Sequence, residues 1–181
     1  MNDIFYKKIE DSTAHRIIRD SIATEVIANP ELFPHLFNSA FNVSDKNHHK
    51  AFWILELVCY KNLKFLEKHL DFFCSNIKNL KDESAIRPAA KICQLLILSY
   101  YKKKEVQLSE KQLEEIIETS FDWLINDIKV ATKAYSMRTL YLLGQHYDWI
   151  HPELKTIITK DFPNHSAAYK AVAKEVLKKI K

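Results

Sequence analysis

Residues 133–141 read KAYSMRTLY, and their pattern occurs twice earlier in the chain, in residues 50–58 (KAFWILELV) and 88–96 (PAAKICQLL). In each stretch an alanine is followed by isoleucine or methionine after three residues and by leucine after six. That spacing places the apolar side chains on one side of a helix. The three alanines are about 38 and about 45 residues apart, which leaves room for one further amphipathic helix in each interval. The pattern therefore predicts helix pairs repeated along the chain.

The composition excludes several other classes of protein. Gly144 is the only glycine among 181 residues, which excludes Gly-rich phosphate-binding loops and sheets joined by tight turns. The alternation of β-branched residues that is typical of strands is absent as well. With 47% hydrophobic and 28% charged residues, the chain has the composition of a folded domain. We therefore expect an all-α fold and a single helical-repeat domain over residues 1–181.

Helix-start signals recur along the chain. Residues 29–31 (Asn-Pro-Glu) and 151–153 (His-Pro-Glu) place a proline and an acid where helices begin, and Ser109 with Gln112 matches a capping box. The gaps between helices are short, so neighbouring helices are expected to be antiparallel. These signals predict about nine helices, the last broken near 162–164: 2–10, 13–28, 30–42, 45–60, 62–79, 84–103, 109–126, 128–147 and 150–180.

The net charge of +4 comes from the C-terminal half of the chain and lacks the broad basic stripe of a dedicated nucleic-acid-binding protein. Cys59, Cys74 and Cys93 are widely spaced in apolar runs, so we expect reduced core residues in a cytoplasmic protein. No Cys/His spacing matches a metal site. The sequence shows no secretory segment and no apolar run long enough to span a membrane. We therefore expect no metal, no cofactor and no membrane association.

The segment from Asp127 to Gly144 resembles the second helix of a HEAT repeat. In it an aspartate precedes a Lys-Val pair, followed by small residues at helical spacing and then by an aliphatic run. The pattern extends over residues 30–181, at the period of HEAT and armadillo units. The resemblance implies a right-handed α-α superhelix, or solenoid, of three to four HEAT-like helical hairpins. It implies no activity, because this architecture serves scaffolds, transport adaptors and a few enzymes alike.

Polar side chains stand in register on the second helices of the three aligned units. Since the aligned apolar side chains must point into the core, the opposite side of each helix would face the concave surface of the solenoid. Trp53 and Arg87 are the expected anchors, because Trp and Arg often dominate binding energetics. The same positions are also those that any solenoid helix exposes to solvent. The candidate binding residues are His49, Trp53, Glu56, Arg87, Lys91, Gln94, Ser136 and Thr139.

The sequence favours a non-enzymatic binding or scaffold protein whose concave surface takes a protein or peptide partner, and it leaves catalysis open. The alternative is a nucleic-acid-binding protein related to the HEAT-like DNA alkylation-repair glycosylases, whose cleft holds aromatics beside an acid. Trp53 and Glu56, three residues apart, could stabilise a cationic group in that way. That alternative requires a net-positive inner surface. A third hypothesis is a small helical hydrolase or lyase assembled from residues distant in sequence.

Apolar residues in the first two helices predict self-association. The end of a solenoid needs a polar outer face, and residues 4–6 (Ile-Phe-Tyr) together with Ile17, Ile18 and Ile22 leave apolar surface there instead. A second copy of the chain could cover this surface.

Overall fold

The computed structural model describes residues 3–180, in which all regular structure is helical. The predicted domain also includes residues 1, 2 and 181, which lie outside the described part. Short 3-10 or π segments extend several helices, and the predicted break at 162–164 is observed as one of them. The α-helices are α1 (Asp3–Asp11), α2 (Arg16–Ala28), α3 (Phe33–Phe41), α4 (His48–Lys61), α5 (Leu70–Asn76), α6 (Glu83–Leu98), α7 (Glu110–Ile125), α8 (Val130–Leu143), α9 (Ile150–Asp161) and α10 (Ala167–Lys179).

The helices form two layers. The even-numbered helices pack in chain order, α2 on α4, α4 on α6, α6 on α8 and α8 on α10. The odd-numbered helices cover this layer: α1 and α3 pack against α4, and α7 and α9 pack against α8. The all-α solenoid predicted from the sequence is therefore confirmed. The described residues contain ten α-helices, of which α1 and α2 precede the predicted repeats.

The core lies between the two layers. Apolar side chains from all ten helices join one continuous cluster of buried residues. The three cysteines belong to it as free, buried thiols, as predicted. Burial raises the pKa of the Cys74 thiol to about 12, so this group stays protonated and behaves as a small apolar side chain.

The predicted capping interaction is present at the start of α7 and absent at Pro30. Ser109 and Gln112 form the full capping box: the Gln112 N–H donates to Ser109 Oγ (3.3 Å) and the Ser109 N–H to Gln112 Oε1 (3.0 Å). Pro30 opens a 3-10 segment, but the Asn29 side chain does not cap it. Asn29 Nδ2 instead donates to the Glu25 carbonyl (2.9 Å) and closes the end of α2.

Gly144 is needed because another side chain approaches its backbone closely. Its backbone is ordinary right-handed helix, with φ −65°. A Cβ atom at this position would lie 2.1 Å from Cδ2 of His151. The His151 ring stacks on Tyr141 (centroids 5.6 Å apart), and its Nε2 is 2.9 Å from the Tyr141 carbonyl oxygen. The glycine thus lets the start of α9 lie against the end of α8.

We expect Gly144→Ala to lower the free energy of unfolding by about 1–3 kcal/mol, although alanine is the better helix former. The new methyl group must displace the His151 ring from Tyr141. Urea denaturation of Gly144→Ala, His151→Ala and the double variant measures this. In the His151→Ala background the glycine substitution should cost nothing; an equal cost in both backgrounds would contradict the packing explanation.

Candidate functional site

Charged and aromatic side chains connect α2, α4 and α6 across the side of the even-numbered layer that faces away from the odd-numbered helices. Five cations, two carboxylates and two aromatic rings take part, and every contact among them joins residues far apart in sequence or one turn apart on a helix. We call this set the cationic cluster. Its members are Arg16, Arg19, Asp20, Trp53, Glu56, Tyr60, Lys61, Arg87 and Lys91.

Trp53 joins the three helices at the centre of the cluster. Its Nε1–H donates to the Ser84 carbonyl at the start of α6 (2.9 Å). The Arg19 guanidinium of α2 lies 5.4 Å from the centroid of its ring, within cation–π range. The edge of the His49 ring approaches within 4.9 Å of the Trp53 ring, centroid to centroid. Because the indole N–H is already bonded within the chain, only the ring is available to a ligand.

Glu56 is the buried ion of the cluster. Its residue is 4% exposed, and its two oxygens take one cation each: Arg87 Nη2 at 3.0 Å and Lys91 Nζ at 2.7 Å. Lys91 also lies 5.3 Å from the centroid of the Tyr60 ring. Arg87 and Lys91 stand one turn apart on α6, which allows both to reach the same carboxylate. Arg87 and Lys91 therefore already pair with the carboxylate that the repair-enzyme alternative assigned to a cationic group of the ligand.

The repeated sequence pattern did not predict the α2 part of the cluster, because it covers only α4, α6 and α8. Asp20 accepts a hydrogen bond from Arg16 Nε (2.6 Å) and lies 3.5 Å from Lys61 Nζ. The Arg16 hydrogen bond lowers the pKa of Asp20, and burial lowers the pKa of Arg19. The available signal was the placement of Arg16, Arg19 and Asp20 three and four residues apart, on one side of α2.

The prediction for the third unit was wrong. Ser136 and Thr139 were expected on the exposed side of α8, but both are buried, and their hydroxyl groups have no hydrogen-bond partner among the described residues. The partly exposed side carries Tyr135 and Arg138 instead. A shift of one residue rotates a helix face by about 100°, so the alignment of α8 was one position out of register.

The burial of Lys133 explains why the predicted register of α8 was wrong. Residue type places a lysine at the surface, yet this one is 3% exposed and donates from Nζ to the Leu124 carbonyl (2.7 Å) near the end of α7. Burial lowers the pKa of Lys133.

The remaining predicted residue, Gln94, is half-buried one turn after Lys91.

A second ion pair joins α8 to α10. Glu175 accepts from Arg138 Nη2 (2.8 Å) and from Lys179 Nζ (2.9 Å), and Lys179 lies 5.8 Å from the centroid of the Tyr141 ring. The hydrogen bonds from Arg138 and Lys179 lower the pKa of Glu175 from 4.5 to about 2. The ion pair therefore stabilises the folded state wherever Glu175 is ionised.

We expect Glu175→Gln to lower the free energy of unfolding by about 1 kcal/mol or less at neutral pH, because the pair is partly exposed. The folded-state pKa lies below the ordinary value, so the contribution is complete above pH 4.5 and is lost as the pH falls towards about 2. Urea denaturation across this range measures it. Glu153→Gln, which removes an exposed carboxylate without an ion-pair partner in residues 3–180, should show no such pH dependence.

The N-terminal pair exposes only part of the predicted apolar surface. Ile4, Ile17 and Ile18 are exposed and line a groove of about 950 Å³ between α1 and α2. Phe5 and Ile22 were expected in the same surface but are buried. That part of the expectation is wrong: both side chains belong to the buried core, although Ile22 also lines the inner side of the groove.

Among residues 3–180, no group of three or more His, Cys, Asp or Glu side chains is placed to hold a metal ion, and no helix combines the length and apolar character of a membrane span. No curated protein and no solved structure matches the chain. A family model described as a HEAT repeat domain matches residues 5–180, which reach from α1 to the end of α10. The chain therefore belongs to the HEAT repeat domain family.

Proposed function

We propose that this chain is a non-enzymatic binding protein and that the exposed side of its even-numbered helices is a concave surface for a protein or peptide partner. Membership of a repeat family supports a binding role, because stacked repeats provide extended surfaces of this kind. A reducing, cytoplasmic location belongs to the same proposal and is supported by three unpaired, buried thiols.

The observation that carries the proposal is the composition of the cationic cluster. Its five cations outnumber Asp20 and Glu56, and two of them, Arg19 and Lys91, lie within cation–π range of Trp53 and Tyr60. Arg and aromatic side chains at the centre of a surface typically dominate binding energetics, and charge complementarity selects the partner. We infer that the partner presents an acidic segment with at least one apolar side chain.

The contacts within the cluster hold it in place before any partner binds. Trp53 is fixed by its bond to Ser84, and Arg87 and Lys91 are fixed by Glu56. A partner therefore meets side chains that have already lost much of their rotational freedom, which lowers the entropic cost of binding.

Capture from cell lysate by the intact chain, followed by mass spectrometry, tests the proposal. The variant Arg16→Ala/Tyr60→Ala/Lys61→Ala removes three exposed members of the cluster and should lose the partner while circular dichroism stays unchanged. The control Lys102→Ala/Lys103→Ala removes two exposed cations outside the cluster and should retain it. Equal capture by the wild type and the cluster variant would overturn the assignment of this surface.

Nucleic acid is the second candidate partner, and the net-positive cluster is the observation that favours it. Fluorescence anisotropy with labelled duplex DNA, plain and alkylated, separates the two candidates. Binding through phosphates must weaken steeply with salt. If DNA binding persists at physiological salt and is lost in the cluster variant, the partner is nucleic acid rather than protein.

Self-association through the N-terminal helices is a separate proposal, and it rests on the exposed groove between α1 and α2. We expect sedimentation equilibrium to show a dimer, and Ile17→Glu to convert it to a monomer. A wild-type chain that sediments as a monomer well above micromolar concentration would remove this proposal.

A further inference from the structure

A basic pocket of about 320 Å³ lies where α4 and α6 end. Because α4 and α6 are both second helices of their pairs, their C-terminal ends meet at the same edge of the even-numbered layer. The segments that follow the two helices close the pocket: residues 62–64 after α4 and the π turn Ser99–Lys103 after α6.

Four lysines surround this pocket, and a single carboxylate, Glu105, accompanies them. Lys61 lies 3.5 Å from Asp20 of α2. Lys64, Lys102 and Lys103 have no ion-pair partner within residues 3–180. A lysine at a helix C-terminus interacts favourably with the helix dipole. This interaction explains the presence of one or two of the four lysines. Ammonium groups that line one pocket also repel one another, and a bound anion would reduce that repulsion.

The backbone that positions two of these lysines is irregular. The last turn of α6 widens to a π turn, in which the Lys104 N–H donates to the Ser99 carbonyl (2.6 Å). The turn ends at Lys104 in the left-handed region, with φ 56°, a conformation that residues other than glycine rarely adopt. π turns inside helices are frequent at functional sites. Here the turn directs Lys102 and Lys103 to the pocket.

The buried hydroxyl group of Ser99 is a second observation, independent of the lysines, that points to a ligand. The residue is 2% exposed and lines the pocket, yet its hydroxyl group has no hydrogen-bond partner in the described part of the chain. A buried polar group without a partner is unfavourable and requires an explanation. A ligand oxygen at the base of the pocket would accept the hydrogen bond that this hydroxyl group can donate.

One wall of the pocket is apolar. Leu95 and Leu98 of α6 form it, and the Tyr60 ring, 61% exposed, stands at the entrance. A ligand that fills the pocket therefore carries an apolar or aromatic body beside its charged group. Lysine ammonium groups bind phosphate as point charges. A group of several lysines therefore suits a ligand with a dianionic phosphate better than a ligand with one carboxylate.

We propose that the basic pocket binds a phosphate monoester: a dianionic phosphate group among Lys64, Lys102, Lys103 and the Ser99 hydroxyl group, with an aromatic or apolar body against Leu95, Leu98 and Tyr60. The volume accommodates a mononucleotide or a smaller phosphorylated compound. The pocket adjoins the proposed partner surface and shares Tyr60 and Lys61 with it. The test variants therefore lie outside the cationic cluster.

Isothermal titration of the intact chain with AMP, adenosine and inorganic phosphate tests the proposal. We expect AMP to bind with a dissociation constant below about 1 mM, and adenosine to bind at least about tenfold more weakly. Lys102→Ala/Lys103→Ala should weaken AMP binding about tenfold or more. The control Lys155→Ala/Lys160→Ala, which removes two exposed lysines of α9, should leave it unchanged. No heat with AMP, or equal affinities for AMP and adenosine, would overturn the phosphate site.

Ser99→Ala separates a ligand contact from a purely structural role. Loss of an unpartnered buried hydroxyl group leaves stability unchanged or raises it, so the variant folds. We expect its affinity for AMP to fall about threefold or more. Wild-type affinity in this variant would overturn the role of Ser99. Equal affinities for AMP and inorganic phosphate would contradict a contact between the apolar wall and the body of the ligand.

Discussion

Replacing Arg87 and Lys91 together by methionine is expected to lower the free energy of unfolding by about 3–5 kcal/mol, because the Glu56 carboxylate is then left buried without a cation. Both partners come from α6, at 3.0 Å and 2.7 Å, and the described residues offer Glu56 no other cation within ion-pair distance. Methionine keeps the length and the apolar stem of each side chain, so the loss reports charge rather than packing. Urea denaturation at neutral pH measures it.

The control for this prediction is the triple variant Glu56→Gln/Arg87→Met/Lys91→Met. Once the carboxylate is gone, most of the lost stability should return, because no uncompensated charge remains in the interior. Glu56→Gln alone should cost less than the double variant, since Arg87 and Lys91 are partly exposed and can reach water. If the double variant is destabilised by less than about 1 kcal/mol, Glu56 is not dependent on these cations.

Replacing Phe52 by alanine is expected to cost about 3–5 kcal/mol. The Phe52 side chain is fully buried on α4, and its ring packs edge-on against Phe41 with centroids 5.0 Å apart. Because α4 contacts α2, α6 and α3, its neighbours are held from several sides and cannot collapse into the cavity. Thermal and urea unfolding of Phe52→Ala measure the loss.

Phe72 provides the matched control. Its ring packs on the same Phe41 side chain with centroids 5.3 Å apart, but about half of the residue is exposed. Phe72→Ala should therefore cost about 1 kcal/mol, since most of the removed surface already faces water. Equal costs for the two variants would mean that α4 is free to relax around a cavity.

The fold was predictable from the sequence because its signals are local. The Ser109–Gln112 capping box and the break at 162–164 are set by residues a few positions apart, and both were found where the sequence placed them. The register of α8 was not predictable in this way. It depends on Lys133, whose burial becomes favourable only because the Leu124 carbonyl of another helix is within reach.

The candidate site was partly predictable for the same reason. Arg87 and Lys91 share a face of α6 by their spacing alone, and the sequence placed them together. Their common partner Glu56 and the Arg19 contact with Trp53 depend on how α2, α4 and α6 stack, which no local pattern records. The sequence identified the charged residues and left their pairing to the tertiary structure.

The order in which the even-numbered helices pack has a consequence for how the chain folds. Since each of these helices packs on the one two elements before it, contacts join segments that are close along the chain. Chains dominated by such contacts fold quickly, because little loop entropy is lost before a contact forms. Assembly can begin at any neighbouring pair and proceed outward in both directions. Shortening the array from an end would therefore reduce its stability in steps, one interface at a time.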